Sequence, residues 1–178
     1  LYYPMDSWFV KTTDYKSRMI ELNKTINWKP KSTGIGRFGS WLENLVDWNL
    51  SRSRFWGIPL PIWRTADNNN EICISSVEEL KYEIEKSIKA GFMKVNPLAN
   101  FNSEDMSEEN YNSFDLHRPY VDDIILVSND GKPMKRELDL IDVWFDSGSM
   151  PYAQLHYPFE NKDFFEKNFP ADFIAEGV

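Results

Sequence analysis

Ser51-Arg52-Ser53-Arg54-Phe55-Trp56-Gly57-Ile58-Pro59-Leu60-Pro61-Ile62-Trp63 is the stretch on which the reading of the fold turns. Two prolines and a glycine forbid a regular helix from Gly57 onward, so the chain must run extended or turn there. Immediately before it, Phe38, Trp41, Leu42, Leu45 and Val46 fall at helical spacing and predict a helix with one apolar stripe, ending near Asp47-Trp48-Asn49. Further back, Tyr15 to Asn23 reads as a short helix with Asp14 positioned to cap it. Trp28-Lys29-Pro30 breaks the chain into a loop between the two.

Working forward, Arg64 to Asn70 is polar and turn-like, and Ile72-Cys73-Ile74 predicts a short strand. Ser75-Ser76-Val77-Glu78-Glu79 offers a capping box, Ser75 with Glu78 or Ser76 with Glu79. Val77, Leu80, Ile84 and Ile88 then keep helical spacing up to Gly91, a suitable residue just past a helix end. Residues 94–115 read as loop with one helical turn. Asp123 to Val127 predicts a strand, and Ser128-Asn129-Asp130-Gly131 a turn into a hairpin with Met134 to Glu137. Ile141 to Phe145 is read as a strand ended by Asp146-Ser147-Gly148-Ser149. Phe164, Phe165 and Phe169 suit a short helix, and Ala171 to Ala175 a final strand with Glu176-Gly177 at its C-terminal end. The mixture is α/β.

Composition bounds the possibilities. The 178 residues are 42% hydrophobic and 27% charged, values of a globular protein rather than a disordered one. No run of apolar residues is long enough for a membrane helix, and Leu1 to Asp6 lack the layout of a signal peptide. Cys73 is the only cysteine, which excludes an internal disulfide and any zinc site needing two thiolates. A reducing, cytoplasmic compartment is expected. The abrupt ends suggest a piece of a longer protein. The net charge of −8 argues against a generic nucleic-acid binder, but residues 1–64 hold ten Lys/Arg against five Asp/Glu. That third can face a polyanion, or it is a mixed surface with uneven charge.

Read for chemistry, a strand ending in Glu176-Gly177 either presents a carboxylate at the mouth of an α/β sheet or is an ordinary exit into a turn. Trp144-Phe145-Asp146-Ser147-Gly148 poses the same choice between an aromatic wall and a core strand with its turn. No phosphate-cradling loop is present, and Gly34-Ile35-Gly36 is too short to be one. His117 and His156 have no serine or cysteine placed to complete a triad. Abundant carboxylates and tryptophans leave a sugar-active enzyme as the rival, favoured by no spacing.

Asp47-Trp48-Asn49-Leu50, together with the opening stretch, resembles the Asp-Trp-x-Ile-Ser-Arg-x-Arg-x-Trp-Gly-x-Pro-x-Pro segment of class I aminoacyl-tRNA synthetases for large aliphatic amino acids. Asp142-Val143-Trp144-Phe145-Asp146-Ser147-Gly148 is similar to the isoleucyl version. So are Asp115-Leu116-His117-Arg118-Pro119-Tyr120 and Pro151-Tyr152-Ala153-Gln154-Leu155-His156-Tyr157-Pro158.

The resemblance implies part of an interrupted Rossmann-type catalytic domain with a small α+β insertion. Residues 1–56 would return from the editing insertion, 57–140 form the smaller connective insertion, and 141–178 re-enter the catalytic domain. It implies isoleucine activation by ATP to an adenylate, transfer to the 3′-terminal adenosine of a tRNA, and editing of valine elsewhere. ATP and Mg2+ would serve the whole enzyme, with tRNA and isoleucine as partners, no membrane, and a monomeric state. The His-Ile-Gly-His and Lys-Met-Ser-Lys-Ser phrases that handle ATP are absent, so a fragment inactive alone is expected. By resemblance Trp144 is a wall of the amino-acid pocket, Glu176 and Gly177 face the adenylate, and Arg54 and Trp56 guide the tRNA acceptor end. Trp56 as plain packing stands beside that role.

Related enzymes often carry cysteine pairs for zinc in the smaller insertion. Residues 64–71 and 128–134 hold none, so no zinc is expected in this piece. A non-catalytic RNA- or protein-binding module and a valyl or leucyl relative are the competing readings.

Overall fold

The computed structural model describes residues 5–175. Among the described residues eight strands and six α-helices run in the order β1 (Phe9–Val10), α1 (Lys16–Asn23), α2 (Phe38–Glu43), β2 (Trp48–Asn49), β3 (Ser51–Arg52), β4 (Ile62–Thr65), β5 (Glu71–Cys73), α3 (Val77–Lys89), α4 (Glu108–Tyr111), β6 (Ile125–Val127), β7 (Pro133–Arg136), β8 (Leu140–Ile141), α5 (Val143–Ala153) and α6 (Lys162–Asn168). Every ladder among the described residues is antiparallel. The chain divides into two compact units, residues 1–50 with 144–178, and residues 51–143.

The second unit is built on a four-stranded sheet in the order β5-β4-β7-β6. The sheet forms because β4 alternates: Trp63 and Thr65 are buried, and Ile62 and Arg64 less so. The pairing of β4 with β7 sets Trp63 opposite Arg136 and Thr65 opposite Met134. Helix α3 covers the sheet and supplies Leu80 and Ile84 to a core with Trp63, Leu98, Ile124 and Leu126. The Trp63 indole N–H donates to the Ile124 carbonyl at 2.9 Å, so the largest buried ring leaves no polar atom unpaired.

Helix α3 has both its ends specified locally. Ser76 caps it by accepting from the Glu79 N–H at 3.1 Å. The Glu79 carboxylate reaches back to Ser75, accepting from its N–H at 2.7 Å and its hydroxyl at 2.6 Å, which holds that carboxyl below its ordinary range. At the other end Gly91 adopts φ +84°, its N–H donates to Ile88, and the Phe92 N–H donates to Ser87. That is a Schellman turn, open to glycine because the left-handed backbone carries no Cβ penalty.

A buried cation ties the sheet to its flanking loop. The Arg136 side chain is fully enclosed and donates to Asp122, to the Leu60 carbonyl at 3.1 Å and to the Asp139 carbonyl at 3.2 Å. Burial pushes the Asp122 carboxyl up, but hydrogen bonds from Arg118 and Arg136 outweigh it and hold the group below its usual range.

In the first unit α1 and α2 pack together around a cavity of about 300 Å3 lined by Ile20, Trp28, Gly34 and Leu42 among others. Its wall is fixed by polar bonds. The Asn23 amide donates to the Gly34 carbonyl at 2.9 Å and accepts from the Trp28 indole N–H at 2.8 Å. The Trp28 ring lies where a Cβ at residue 34 would be, which explains the glycine.

Four expectations fail here. The apolar stripe of residues 38–46 does not become one helix: α2 stops at Glu43, with Leu42 and Leu45 buried but Trp41 and Val46 exposed. The chain leaves the helix because Asp47 is drawn to the 3-10 turn Thr12–Tyr15 that follows β1, accepting from the Thr13 hydroxyl at 2.7 Å and the Thr13 N–H at 3.1 Å. Residues 141–145 are not a strand; β8 ends at Ile141 and α5 begins at Val143. A short apolar run fits either period, and here the Ser147 and Ser149 hydroxyls fold back onto the Trp144 and Asp146 carbonyls within the helix. Residues 171–175 form no strand, and Phe173 and Ile174 are exposed with no strand alongside among the described residues. Asp14 does not cap α1, whose N-cap is Tyr15.

Candidate functional site

The opening stretch is held at its base by an ion pair. β3 pairs with β8, Ser51 opposite Ile141 and Arg52 opposite Leu140. The Arg52 guanidinium meets the buried Asp142 carboxylate, and the Arg52 carbonyl accepts from the Arg54 N–H at 2.9 Å. The chain then turns through Gly57, whose φ of +143° lies in the region that favours glycine, and a Cβ there would meet Leu140 at 3.4 Å. Beyond it the Ile58 carbonyl accepts from Ile141 at 2.7 Å and the Leu60 N–H donates to Asp139 at 3.1 Å.

Between these anchors stand Arg54, Phe55 and Trp56. Phe55 is 76% exposed and Trp56 73% exposed. Neither ring is loose. The His117 imidazole stacks on Trp56 with centroids 4.9 Å apart and planes 6° from parallel. The Arg118 guanidinium lies 5.8 Å from the Phe55 ring centre and donates to the Arg54 carbonyl at 3.3 Å. Asp115 orients His117, accepting from its backbone N–H at 2.8 Å and facing its Nδ1 at 2.8 Å; the backbone bond first, then the ring contact, keeps the Asp115 carboxyl below its ordinary range. The Arg54 side chain is exposed and forms no ion pair among the described residues.

In the other unit Trp144 lies in the first turn of α5 with its side chain 69% exposed. Phe145 packs at 6.3 Å from Trp48, on the strand that pairs with β1. Asp146 Oδ1 is buried without a hydrogen-bond partner. The indole expected as a pocket wall is thus carried by a helix rather than a strand end. Glu176 and Gly177 lie outside the described residues, and Trp144 belongs to a different unit from Arg54 and Trp56.

The residues that sequence reading did not assign to a site are Phe55, His117 and Arg118. Nothing local links 54–56 to 117–118; only the folded chain joins positions 64 apart. A nearer signal existed for His117, since Asp115 two residues before it is the spacing of an Asx turn.

No group of three His, Cys, Asp or Glu among the described residues converges on a point that would hold an ion. With no phosphate-cradling loop in the sequence either, the described residues do not fit Mg-ATP. The hairpin tips at 65–70 and 128–132 meet through Lys132, which pairs with Asp67 at 2.7 Å and Asp130 at 3.1 Å, while the Asn70 amide donates to Asp130 at 3.2 Å. No helix among the described residues is long and apolar enough to cross a membrane.

The mixture of helices and sheets is consistent with the family that comparison to known proteins gives. The model of the tRNA synthetases class I (I, L, M and V) matches residues 1–178, and the chain belongs to that family. It is 72% identical over 182 residues to an isoleucine–tRNA ligase of Bacteroides fragilis, covering 100% of this chain and 16% of that protein. Isoleucine–tRNA ligases of Cytophaga hutchinsonii and Clostridium tetani are 67% and 49% identical, each over 100% of this chain and 15% of their own length. The chain therefore spans about one sixth of the length of these curated relatives.

Proposed function

We propose that the protein containing these residues activates isoleucine with ATP, releasing pyrophosphate, and transfers the aminoacyl group to the 3′-terminal adenosine of its tRNA. The observation that carries this reading is the similarity to isoleucine–tRNA ligases along the whole chain, at up to 72% identity. The same similarity favours it over a freestanding binding module.

In this reading the chain is one part of a Rossmann-type catalytic domain interrupted by insertions. Residues 1–56 return from the editing insertion, 57–140 are the connective insertion and 141–178 rejoin the catalytic domain. The pairing of β3 with β8 supports it, because it sets the two ends of the intervening segment side by side. Trp144 forms a wall of the amino-acid pocket; a flat, rigid, apolar ring at the start of a helix suits an aliphatic side chain. Glu176 and Gly177 face the adenylate, and Arg54 and Trp56 guide the acceptor end. Apolar pockets separate ligands differing by one methylene by only about 1–3 kcal/mol, so valine is removed by editing outside this chain. The Mg2+ and ATP phosphates are held by residues elsewhere in the protein. The connective insertion is organised without zinc, its tips held by Lys132. The protein acts as a cytoplasmic monomer.

The test is isoleucine-dependent pyrophosphate exchange by the full-length protein. Trp144→Ala is expected to raise the KM for isoleucine far more than that for ATP. Unchanged isoleucine kinetics remove Trp144 from the pocket, and absence of isoleucine-dependent exchange in the unaltered protein overturns the reading itself.

A further inference from the structure

The pair of rings at residues 55 and 56 is the feature least accounted for by folding. Two adjacent aromatic side chains, each about three-quarters exposed, contribute little to a core. Yet each is fixed on one side by a polar, planar group from a different loop, the His117 imidazole for Trp56 and the Arg118 guanidinium for Phe55.

The planar groups are themselves anchored. Asp115 holds His117, and Arg118 donates through Nε to Asp122 at 2.8 Å, the carboxylate that the fully buried Arg136 also grips. A chain of charge-assisted bonds therefore runs from the enclosed guanidinium through Asp122 and Arg118 to the Phe55 ring, while Asp115 anchors the His117 brace of Trp56 separately. The ordering entropy of two flat faces has been met before any ligand arrives, which is what a preorganised binding surface requires. The exposed cation of Arg54 stands next to them in the chain, without an ion pair among the described residues.

Flat faces backed by cationic or imidazole groups, with a free guanidinium beside them, match unpaired nucleotides: bases stack on the rings and a phosphate meets the arginine. An aliphatic protein surface would leave the Arg54 charge desolvated without a partner.

We propose that Phe55, Trp56, His117 and Arg118 form a stacking platform for the unpaired 3′-terminal nucleotides of a tRNA. The inference rests on the reading that the parent protein charges tRNA, and it extends that reading from Arg54 and Trp56 to a braced four-residue surface. His117 and Arg118 are positioning residues, each holding one ring in place.

The experiment uses the full-length protein and two RNAs, the intact tRNA and the same tRNA lacking its unpaired 3′ end. Stacking on an aromatic side chain is lost on alanine substitution at a cost that corresponds to about 5-fold or more in affinity. Trp56→Ala and His117→Ala are each expected to weaken binding of intact tRNA by that factor and to leave binding of the truncated tRNA equal to that of the unaltered protein. Trp56→Tyr and His117→Phe, which keep a flat ring, are expected to recover most of the loss. Equal weakening for both RNAs overturns the proposal, as does no weakening for either. A fall in thermal stability in the alanine variants with no rescue by the aromatic ones identifies the rings as packing groups and also overturns it. Failure of isoleucine-dependent exchange in the unaltered protein is a separate outcome that removes the functional reading beneath.

Discussion

The Lys132 ammonium lies 2.7 Å from Asp67 Oδ2, across 65 residues of chain, and joins the tip of the β4–β5 hairpin to that of β6–β7. Replacing Lys132 with Met removes the shared cation and leaves Asp67 and Asp130 facing each other. Amide exchange at residues 66–70 and 129–132 is expected to accelerate, with little change in the global melting temperature, because exposed ion pairs add little to overall stability. Exchange unchanged at both tips would show that the backbone turns alone hold them.

The same cluster sets a pH dependence. Hydrogen bonds from Lys132, then Thr65 and the Asn69 N–H, hold the Asp67 carboxyl well below the usual carboxylate range, and Ser128 and Lys132 lower Asp130. A depressed carboxyl contributes its stabilisation above the unfolded value and loses it as pH falls through the folded one. The tips are therefore expected to stay joined near pH 4, where an ordinary Asp is about half protonated, and to part only in stronger acid. Carboxyl chemical shifts followed by NMR should show Asp67 titrating late, and moving toward the ordinary value in Lys132→Met.

Arg136 is the most costly single polar group to remove. Arg136→Met leaves Asp122 to Arg118 alone and takes the side-chain donor from the Leu60 carbonyl, and is expected to destabilise the second unit by about 3 kcal/mol in chemical denaturation. Adding Asp122→Asn should cost less than its single effect, since one of the two arginines that carboxylate serves is already gone. Full additivity would mean that the two groups act separately.

Gly34→Ala places a methyl in the Trp28 ring. Overpacking of this kind costs about 1–3 kcal/mol, so the first unit should melt earlier, with Trp28 fluorescence altered. Trp28→Leu in the same background should recover part of the loss by vacating the space.

Ser76→Ala removes the oxygen that accepts from Glu79, and α3 is expected to lose about 0.5–2 kcal/mol. Ser76→Asp should retain most of that, since a carboxylate caps the same N–H.

Sequence reading succeeded where the decisive interactions are local. Ser76, Glu79 and Gly91 specify both ends of α3 within a residue or two of the helix they bound, and Asp130-Gly131 turns β6 into β7. It failed where an apolar run is too short to show its period, as at Val143 to Phe145, and where a distant bond overrides a local stripe, as Asp47 does when Thr13 draws the chain out of α2. The family was legible from its phrases, because those residues stand in order along the chain. The bracing of Phe55 and Trp56 was not, because His117 and Arg118 reach them only after the sheet has closed.

The two-residue ladder of β3 with β8 has an evolutionary side. Since Ser51 and Ile141 lie opposite each other, the stretch between them begins and ends side by side. Such a loop of chain can grow, shrink or exchange its interior over generations without shifting the places where the host polypeptide leaves and resumes. If this segment is the connective insertion proposed above, its contents can diverge while its seam stays fixed.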